Sequence, residues 1–82
     1  MNEIKKQLEG LGFVLNESGY NVFSYTKRYP DFVLYLRVGT KEIKEMYVKE
    51  IDQSDNKIGY FVLIKSKPSL DFVKQFDKLM NT

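Results

Sequence analysis

The stretch YTKRYPDFVLYLRV, residues 25–38, predicts a β-hairpin. Residues 21–28 alternate between two sets of side chains, and residues 32–38 carry an apolar side chain at every second position, as a half-covered strand does. Between them, Pro30 presets φ for the second position of a turn, and Asp31 tolerates the position that follows. Two antiparallel strands joined by a tight turn therefore form the centre of the predicted fold.

Further elements are predicted on both sides of this hairpin. Residues 3–10 have one apolar face and end at a glycine, which is typical of a short helix. Residues 44–51 and 58–65 have the composition of strands and are separated by a polar loop. Residues 67–82 contain an apolar stripe behind serines that can cap a helix, which predicts a second helix. The sequence leaves open whether residues 13–16 add a further short strand.

This order predicts an α+β fold in a single domain, residues 1–82. The simplest packing is a two-layer sandwich, in which an N-terminal and a C-terminal helix cover one face of a four- to five-stranded antiparallel sheet. The elements follow as α-β-β-β-β-α. The strand IGYFVLIK, residues 58–65, is apolar on both faces, so we expect it to be central or covered on both sides. The sequence does not decide which of its faces is buried.

The face of the sheet away from the helices is predicted to carry tyrosines and cations. If Leu34 and Leu36 point into the core, Tyr35 and Arg37 point to solvent. We expect the neighbouring strands to add side chains of the same types to this face. The predicted binding surface consists of Tyr25, Lys27, Arg28, Tyr29, Tyr35, Arg37, Tyr47 and Lys49. Such residues also fill ordinary half-exposed sheets, because tyrosine has a high strand propensity and an amphipathic ring.

Composition excludes several classes of function. The chain has no cysteine, so it has neither disulfides nor a thiolate site, and we expect a cytoplasmic location. It has no histidine, the side chain best suited to proton transfer near neutral pH. The beginning, MNEIKKQLEG, lacks the apolar run of a secretory signal, and we expect no membrane association. A net charge of +2 is too small to imply a nucleic-acid partner by itself.

Motifs that would hold a metal or a cofactor are weak. Pro30-Asp31 with Glu42-Ile43-Lys44 matches the bare PD…ExK pattern, in which the acids hold Mg²⁺ and the lysine assists the attacking water. Asp31 lies in a predicted turn and Glu42 follows the turn at Gly39, so the pattern lacks its structural context. The loop Asp52–Asn56 lacks the glycine of an EF-hand and is predicted to be solvated. We expect no catalytic residue, no metal and no cofactor.

The segment LEGLGFVLNESGYNVFSYTK, residues 8–27, resembles the start of the HicA/YcfA toxin family. That family is similar to double-stranded-RNA-binding domains, with a helix, three strands and a helix. In the family a helix ends in an LGF-like turn, and a Gly-Ser-His run precedes the second strand. Here Tyr20 occupies the position of the catalytic histidine. The resemblance covers about a quarter of the chain; it implies an antiparallel α+β shape and argues against transferring the RNase activity.

Three functional hypotheses remain. The first is a small non-enzymatic binding protein that acts on a protein partner through the uncovered sheet face or a strand edge. Absent alanine with abundant lysine, asparagine and isoleucine suggests AT-rich codons, so we expect an accessory or inhibitor protein of bacteria, phages or mobile elements. The second is a nucleic-acid-binding module that uses the same face. The third is a degenerate toxin-like or PD-ExK-like nuclease. An unpaired strand edge could also accept a second copy of the chain.

Overall fold

The Pro30-Asp31 turn joins two paired strands, as the sequence predicts. The computed structural model describes the backbone of residues 3–52 and 57–81, and the side chains of residues 3–50 and 61–81. The elements are α1 (Glu3–Gly10), β1 (Val14–Gly19), β2 (Val22–Arg28), β3 (Phe32–Val38), β4 (Ile43–Asp52), β5 (Lys57–Ser66) and α2 (Leu70–Met80). This confirms the predicted α+β class, with the N-terminal helix, five antiparallel strands and the C-terminal helix in that order.

The five strands form one sheet in the order β1-β2-β3-β4-β5, and each strand pairs antiparallel with the next. The central hairpin pairs Tyr25 with Leu36 and Thr26 with Tyr35. Because opposite residues of an antiparallel pair point to the same side, this register decides which side chains of β2 share a face with the core residues of β3. The first and last strands of such a meander are its edges.

Both helices cover the same face of the sheet. The core between them is apolar and contains Leu8, Phe13, Tyr25, Tyr29, Leu34, Leu36, Val38, Ile43, Met46 and Val73. Leu8 comes from α1 and Val73 from α2, and both side chains are fully buried. Ser69 caps α2, because its side chain accepts a hydrogen bond of 3.0 Å from the amide of Phe72. Among the described residues, neither helix has the length and apolar character needed to cross a membrane.

A tight turn ends α1 and directs the chain into β1. Gly12 has a φ of +97°, a conformation that glycine adopts without strain. Its amide donates to the carbonyl of Glu9 at 3.0 Å, and the amide of Phe13 donates to the carbonyl of Leu8 at 3.0 Å. These bonds satisfy carbonyls that the end of a helix leaves without a partner. The turn places Phe13 in the core, directly before the first strand.

The position of β5 corrects one prediction from the sequence. β5 is an edge strand, and the prediction of a central or doubly covered strand at residues 58–65 is wrong. Phe61, Val62, Leu63 and Ile64 are 47%, 59%, 51% and 41% exposed. The helix α2 follows directly after β5, but its second half lies away from that strand. There Phe76 packs on Tyr29 and Phe32, at the turn between β2 and β3. The apolar side chains of β5 therefore lie on a strand that the two helices leave largely uncovered.

The opposite edge has a different character. The sequence left a strand at residues 13–16 open, and the structure begins β1 at Val14. This strand has only six residues, all of them exposed, and its pairing with β2 is interrupted between Leu15 and Glu17. A short edge strand with a bulge and a charged side chain is poorly suited to pair with another chain.

Candidate binding surface

The open face is the side of the sheet that carries no helix. Its membership follows from the register, because Tyr35 pairs with Thr26 on one side and with Tyr47 on the other. Tyr47 in turn pairs with Leu63 of β5. The open face consists of Val14, Glu17, Val22, Ser24, Thr26, Arg28, Val33, Tyr35, Arg37, Glu45, Tyr47, Lys49, Phe61 and Leu63.

Four of the eight residues predicted for the binding surface lie together on the open face. They are Tyr35, Arg37, Tyr47 and Lys49. Arg28 is exposed at the end of β2 and pairs with Val33, which places it at the margin of the same face. The sequence therefore identified the tyrosines and cations that β3 and β4 contribute to this face.

The other three predicted residues lie on the helix side, so their assignment to the open face is wrong. Tyr25 is 1% exposed and Tyr29 is 3% exposed, and both belong to the core. Lys27 pairs with Leu34, a core residue, and so points toward the helices. The sequence contained the information needed to place them. A turn at Pro30-Asp31 sets Tyr25 opposite Leu36 and Lys27 opposite Leu34, and both leucines are core residues.

Lys27 and Tyr29 meet a residue that sequence reasoning did not identify. Asp77 of α2 is 7% exposed, and one of its carboxylate oxygens accepts hydrogen bonds of 2.6 Å from the Lys27 ammonium and from the Tyr29 hydroxyl. Lys27 also donates to the Leu11 carbonyl at 2.6 Å. The group therefore joins the end of α1, the sheet and α2. In the sequence, Asp77 looks like an ordinary polar residue beside an apolar helical stripe.

The environment of Asp77 shifts the pKa of two of these side chains. Burial acts to raise the pKa of Asp77, but the hydrogen bonds from Lys27 and Tyr29 and the charge of Lys27 outweigh it and hold the pKa below its ordinary value. The pKa of the Tyr29 hydroxyl is raised well above its ordinary value, first by burial and then by its hydrogen bond to Asp77. Both shifts indicate a structural ion pair that is fully formed at neutral pH.

Three aromatic rings form a cluster at the centre of the open face. The aromatic cluster consists of Tyr35, Tyr47 and Phe61. The ring centroids of Tyr35 and Phe61 are 5.0 Å apart, those of Tyr47 and Phe61 are 6.0 Å apart, and those of Tyr35 and Tyr47 are 5.9 Å apart. The Lys49 ammonium lies 4.5 Å from the centroid of Phe61. Sequence reasoning missed Phe61, because it assigned the whole of residues 58–65 to a covered strand.

Polar contacts hold the members of this surface in place. The hydroxyls of Tyr35 and Ser24 are 2.6 Å apart and share a hydrogen bond. The Arg37 guanidinium forms a salt bridge of 3.0 Å with Glu45 on the next strand. The pKa of Tyr47 lies above its ordinary value, chiefly through desolvation and secondarily through a hydrogen bond to Glu45. The aromatic cluster is therefore bordered by polar side chains that already have partners.

The surface around Tyr35 is uneven and open to solvent. A depression of about 320 Å³ is lined by Tyr35, Arg37, Tyr47 and Phe61. A second, of about 340 Å³, extends from Tyr35 and Arg37 toward Glu17 and Val22 on the first hairpin. Shallow depressions with an aromatic floor are typical of macromolecular contact surfaces, whereas small-molecule sites enclose most of their ligand.

The residues of the PD…ExK pattern do not form a metal site. Asp31 precedes β3 and Glu42 follows it, so the seven residues of β3 separate them. At the rise of a β-strand this is about 20 Å, far more than two ligands of one ion allow. Among the described residues, no group of three or more acids could hold a metal ion. Most of the loop Asp52–Asn56 lies outside the described residues.

Compared with known protein families, with curated proteins and with solved structures, the chain has no significant match. Tyr20, which stands at the histidine position of the toxin resemblance, is 94% exposed in the turn between β1 and β2.

Proposed function

We propose that this protein is a small non-enzymatic binding protein that contacts another protein through the open face. The observation that carries the proposal is the aromatic cluster at the centre of that face, where neither helix covers it. Tyrosine and arginine are the residue types that supply most binding energy at protein interfaces. Tyr35, Tyr47, Arg37 and Phe61 line one depression of this surface.

The side chains of the aromatic cluster are already ordered before a partner binds. Tyr35 is held by its hydrogen bond to Ser24 and by the rings of Tyr47 and Phe61. A side chain that is already ordered loses little conformational entropy when a partner docks on it, so more of the contact energy appears as affinity. The surrounding polar side chains provide a rim that can exchange water for partner contacts.

The charges favour a protein over a nucleic acid. Arg37 is paired with Glu45, and Lys27 is turned away from the open face toward Asp77. Lys49 lies over Phe61, on one of the rings that a base would have to stack on. Nucleic-acid platforms need unpaired cations beside free aromatic rings, because phosphate contacts supply most of their affinity. This face offers few such cations, and a protein surface with mixed charges complements it better.

A site-specific photo-crosslinking experiment tests the proposal. A photoreactive phenylalanine analogue replaces Tyr47 in one variant and Tyr20, which is 94% exposed outside the cluster, in a matched control. We expect a discrete protein adduct from position 47 in host lysate, lost on adding Tyr35→Ala, and none from position 20. Fluorescence-anisotropy titrations with single- and double-stranded DNA and RNA complete the test. Saturable binding that weakens with salt and is abolished by Lys49→Glu would replace the proposal with the nucleic-acid hypothesis.

The remaining predictions about origin and activity stay proposals. An accessory or inhibitory role in a phage or mobile element rests on composition, and a degenerate toxin-like nuclease rests on the resemblance of residues 8–27. A PD-ExK-like nuclease has a simple test: Mg²⁺-dependent cleavage by the purified protein that disappears in Asp31→Ala would support it. Cleavage that persists in this variant would have another source.

A further inference from the structure

We propose that β5 pairs antiparallel with β5 of a second copy, about a two-fold axis at Val62, so that two five-stranded sheets become one. This inference goes beyond the binding of a partner protein and does not depend on it. It rests on the exposure of residues 61–64, on the contrast between the two edges of the sheet, and on the register of β5.

The described part of β5 exposes apolar side chains on both of its faces. Phe61 and Leu63 share the open face with Lys49 and Tyr47. Val62 pairs with Val48, on the helix side, and is nevertheless 59% exposed. A partner that covers only one face of the sheet would leave half of these side chains in water. A strand added at the edge pairs with the outward amides and carbonyls of β5 and sets its own side chains beside those of β5 on both faces.

The two edges of the sheet differ in the charges that they carry. Both edge strands have bulges, β1 between Leu15 and Glu17 and β5 on either side of residues 61–63, but β1 carries the acid Glu17 beside its bulge. In β5 the run from Phe61 to Ile64 contains no charge and no proline. Proteins protect free edges with charges, prolines, bulges and short strands, because an unprotected edge pairs with other chains. β5 lacks the charges and prolines over this run.

The register selects a second copy as the occupant. Phe61, Val62 and Leu63 form three consecutive regular pairs with β4, between two irregularities at Met46/Tyr47 and Lys49/Ile51. Val62 is the midpoint of this regular segment. A two-fold axis there sets Val62 against Val62, and Phe61 against Leu63 of the second copy, with each pair on one face. Over residues 61–63, apolar side chains therefore meet apolar side chains.

The size of this contact predicts a weak dimer. The contact involves four partly exposed residues on each copy, Phe61 to Ile64, so it is smaller than the ~1,200 Å² at which standard specific interfaces begin. We therefore expect a dissociation constant in the micromolar range. Because the axis is perpendicular to the sheet, both open faces lie on the same side. The dimer would present two aromatic clusters on one continuous surface.

Sedimentation equilibrium of the purified protein from low micromolar to several hundred micromolar tests the proposal. The central variant is Val62→Lys, which sets two ammonium groups against each other at the axis. Val14→Lys, at the opposite edge, is the matched control, because Val14 is 64% exposed and also lies on an edge strand. Each variant is checked for folding by urea denaturation at low concentration.

We expect the wild type and Val14→Lys to dimerise alike, and Val62→Lys to raise the dissociation constant at least about 100-fold, because burying like charges in the contact is costly. Val62→Glu alone should also be monomeric, while an equimolar mixture of Val62→Lys and Val62→Glu should restore the dimer. In the wild type, amide exchange at residues 61–63 should slow with concentration and that at residues 14–15 should not. A wild type that stays monomeric at several hundred micromolar, or an unchanged dimer in Val62→Lys, would overturn the proposal.

Discussion

The Lys27 ammonium lies 2.6 Å from the carboxylate of Asp77, although fifty positions separate the two residues along the chain. This contact ties the central hairpin to the C-terminal helix. Lys27 also donates to the Leu11 carbonyl behind α1, and Tyr29 donates to the same Asp77 oxygen. The pair thus fixes both helices on one face of the sheet and leaves the other face free.

The first prediction concerns the strength of this ion pair. Lys27→Met should lower the free energy of unfolding by about 3 kcal/mol, because it leaves a nearly buried carboxylate without its cation. Asp77→Asn should lower the free energy of unfolding by about 2 kcal/mol. The double variant should lose less stability than the two single variants together. Urea denaturation of the four proteins measures the coupling. The exposed pair of Arg37 and Glu45 is the control, with a coupling below about 1 kcal/mol; equal coupling in both pairs would contradict the assignment.

The second prediction concerns pH. The pKa of Asp77 is held below its ordinary value of 3.8 in the folded protein, so this group stabilises the fold above that value and loses its contribution as pH falls through the folded pKa. The pKa of Tyr29 is raised above its ordinary value of 10.0, so its contribution is complete below pH 10.0 and is lost as pH rises through the folded pKa. Stability should therefore decline at both extremes.

Two variants separate these effects by thermal denaturation between pH 2 and pH 11. Asp77→Asn should flatten the acidic decline relative to wild type and weaken the alkaline one, which the burial of Tyr29 still maintains. Tyr29→Phe should remove the alkaline decline and leave a smaller acidic one, since it removes the titrating hydroxyl that donates to Asp77 and keeps the ring that stacks on Phe32. A difference between wild type and Asp77→Asn that is constant with pH would show that Asp77 acts through packing alone.

The third prediction uses two glycines at the end of α1. A methyl group at Gly12 would require a φ of +97° that side chains disfavour, and it would lie 3.4 Å from the Cε atom of Lys27. Gly12→Ala should therefore destabilise the fold by about 1 kcal/mol or more. Gly10→Ala meets open space in the helix and should be neutral or stabilise by up to about 1 kcal/mol. Equal effects of the two substitutions on the urea midpoint would contradict this account of the turn.

The sequence predicted the order of elements because each of them carries a local signal. The Pro30-Asp31 turn, the alternation of residues 32–38 and the serine cap of α2 are readable one segment at a time. The failures concern relations between segments. The face of Tyr25 depends on the register across the hairpin, and the exposure of β5 depends on where α2 crosses the sheet. A strand with two apolar faces looks the same in one sequence whether a helix or a second chain covers it.

In the candidate site, too, local patterns could be predicted and contacts between distant segments could not. Tyr35 and Arg37 could be placed because they alternate with core residues of their own strand. Phe61 could not, since its neighbours in the cluster come from β3 and β4, and no local pattern brings the three rings together. Asp77 was missed for the same reason: its partners lie on β2 and at the end of that strand. Long-range pairing assembles both the surface and the ion pair.

The last prediction separates the ring of Tyr35 from its hydroxyl. Tyr35→Phe removes the hydrogen bond to Ser24, which is 6% exposed, and should cost about 1 kcal/mol of stability. Tyr35→Phe keeps the aromatic ring that packs against Tyr47 and Phe61. The crosslinking yield from position 47 should therefore fall little. Tyr35→Ala removes the ring and should weaken partner binding at least tenfold, as substitution of an aromatic interface anchor does.

Titration of the captured partner with the Tyr35 variants, combined with urea denaturation of each, distinguishes the two contributions. Thr26→Ala, opposite Tyr35 on the neighbouring strand, is a control that alters the open face beside the aromatic cluster and leaves its three rings in place. If Tyr35→Phe and Tyr35→Ala weaken binding equally, the partner depends on the Tyr35 hydroxyl and its hydrogen bond to Ser24. If only Tyr35→Ala weakens binding, the partner contacts the ring, as the packing of Tyr35 against two other aromatic side chains implies.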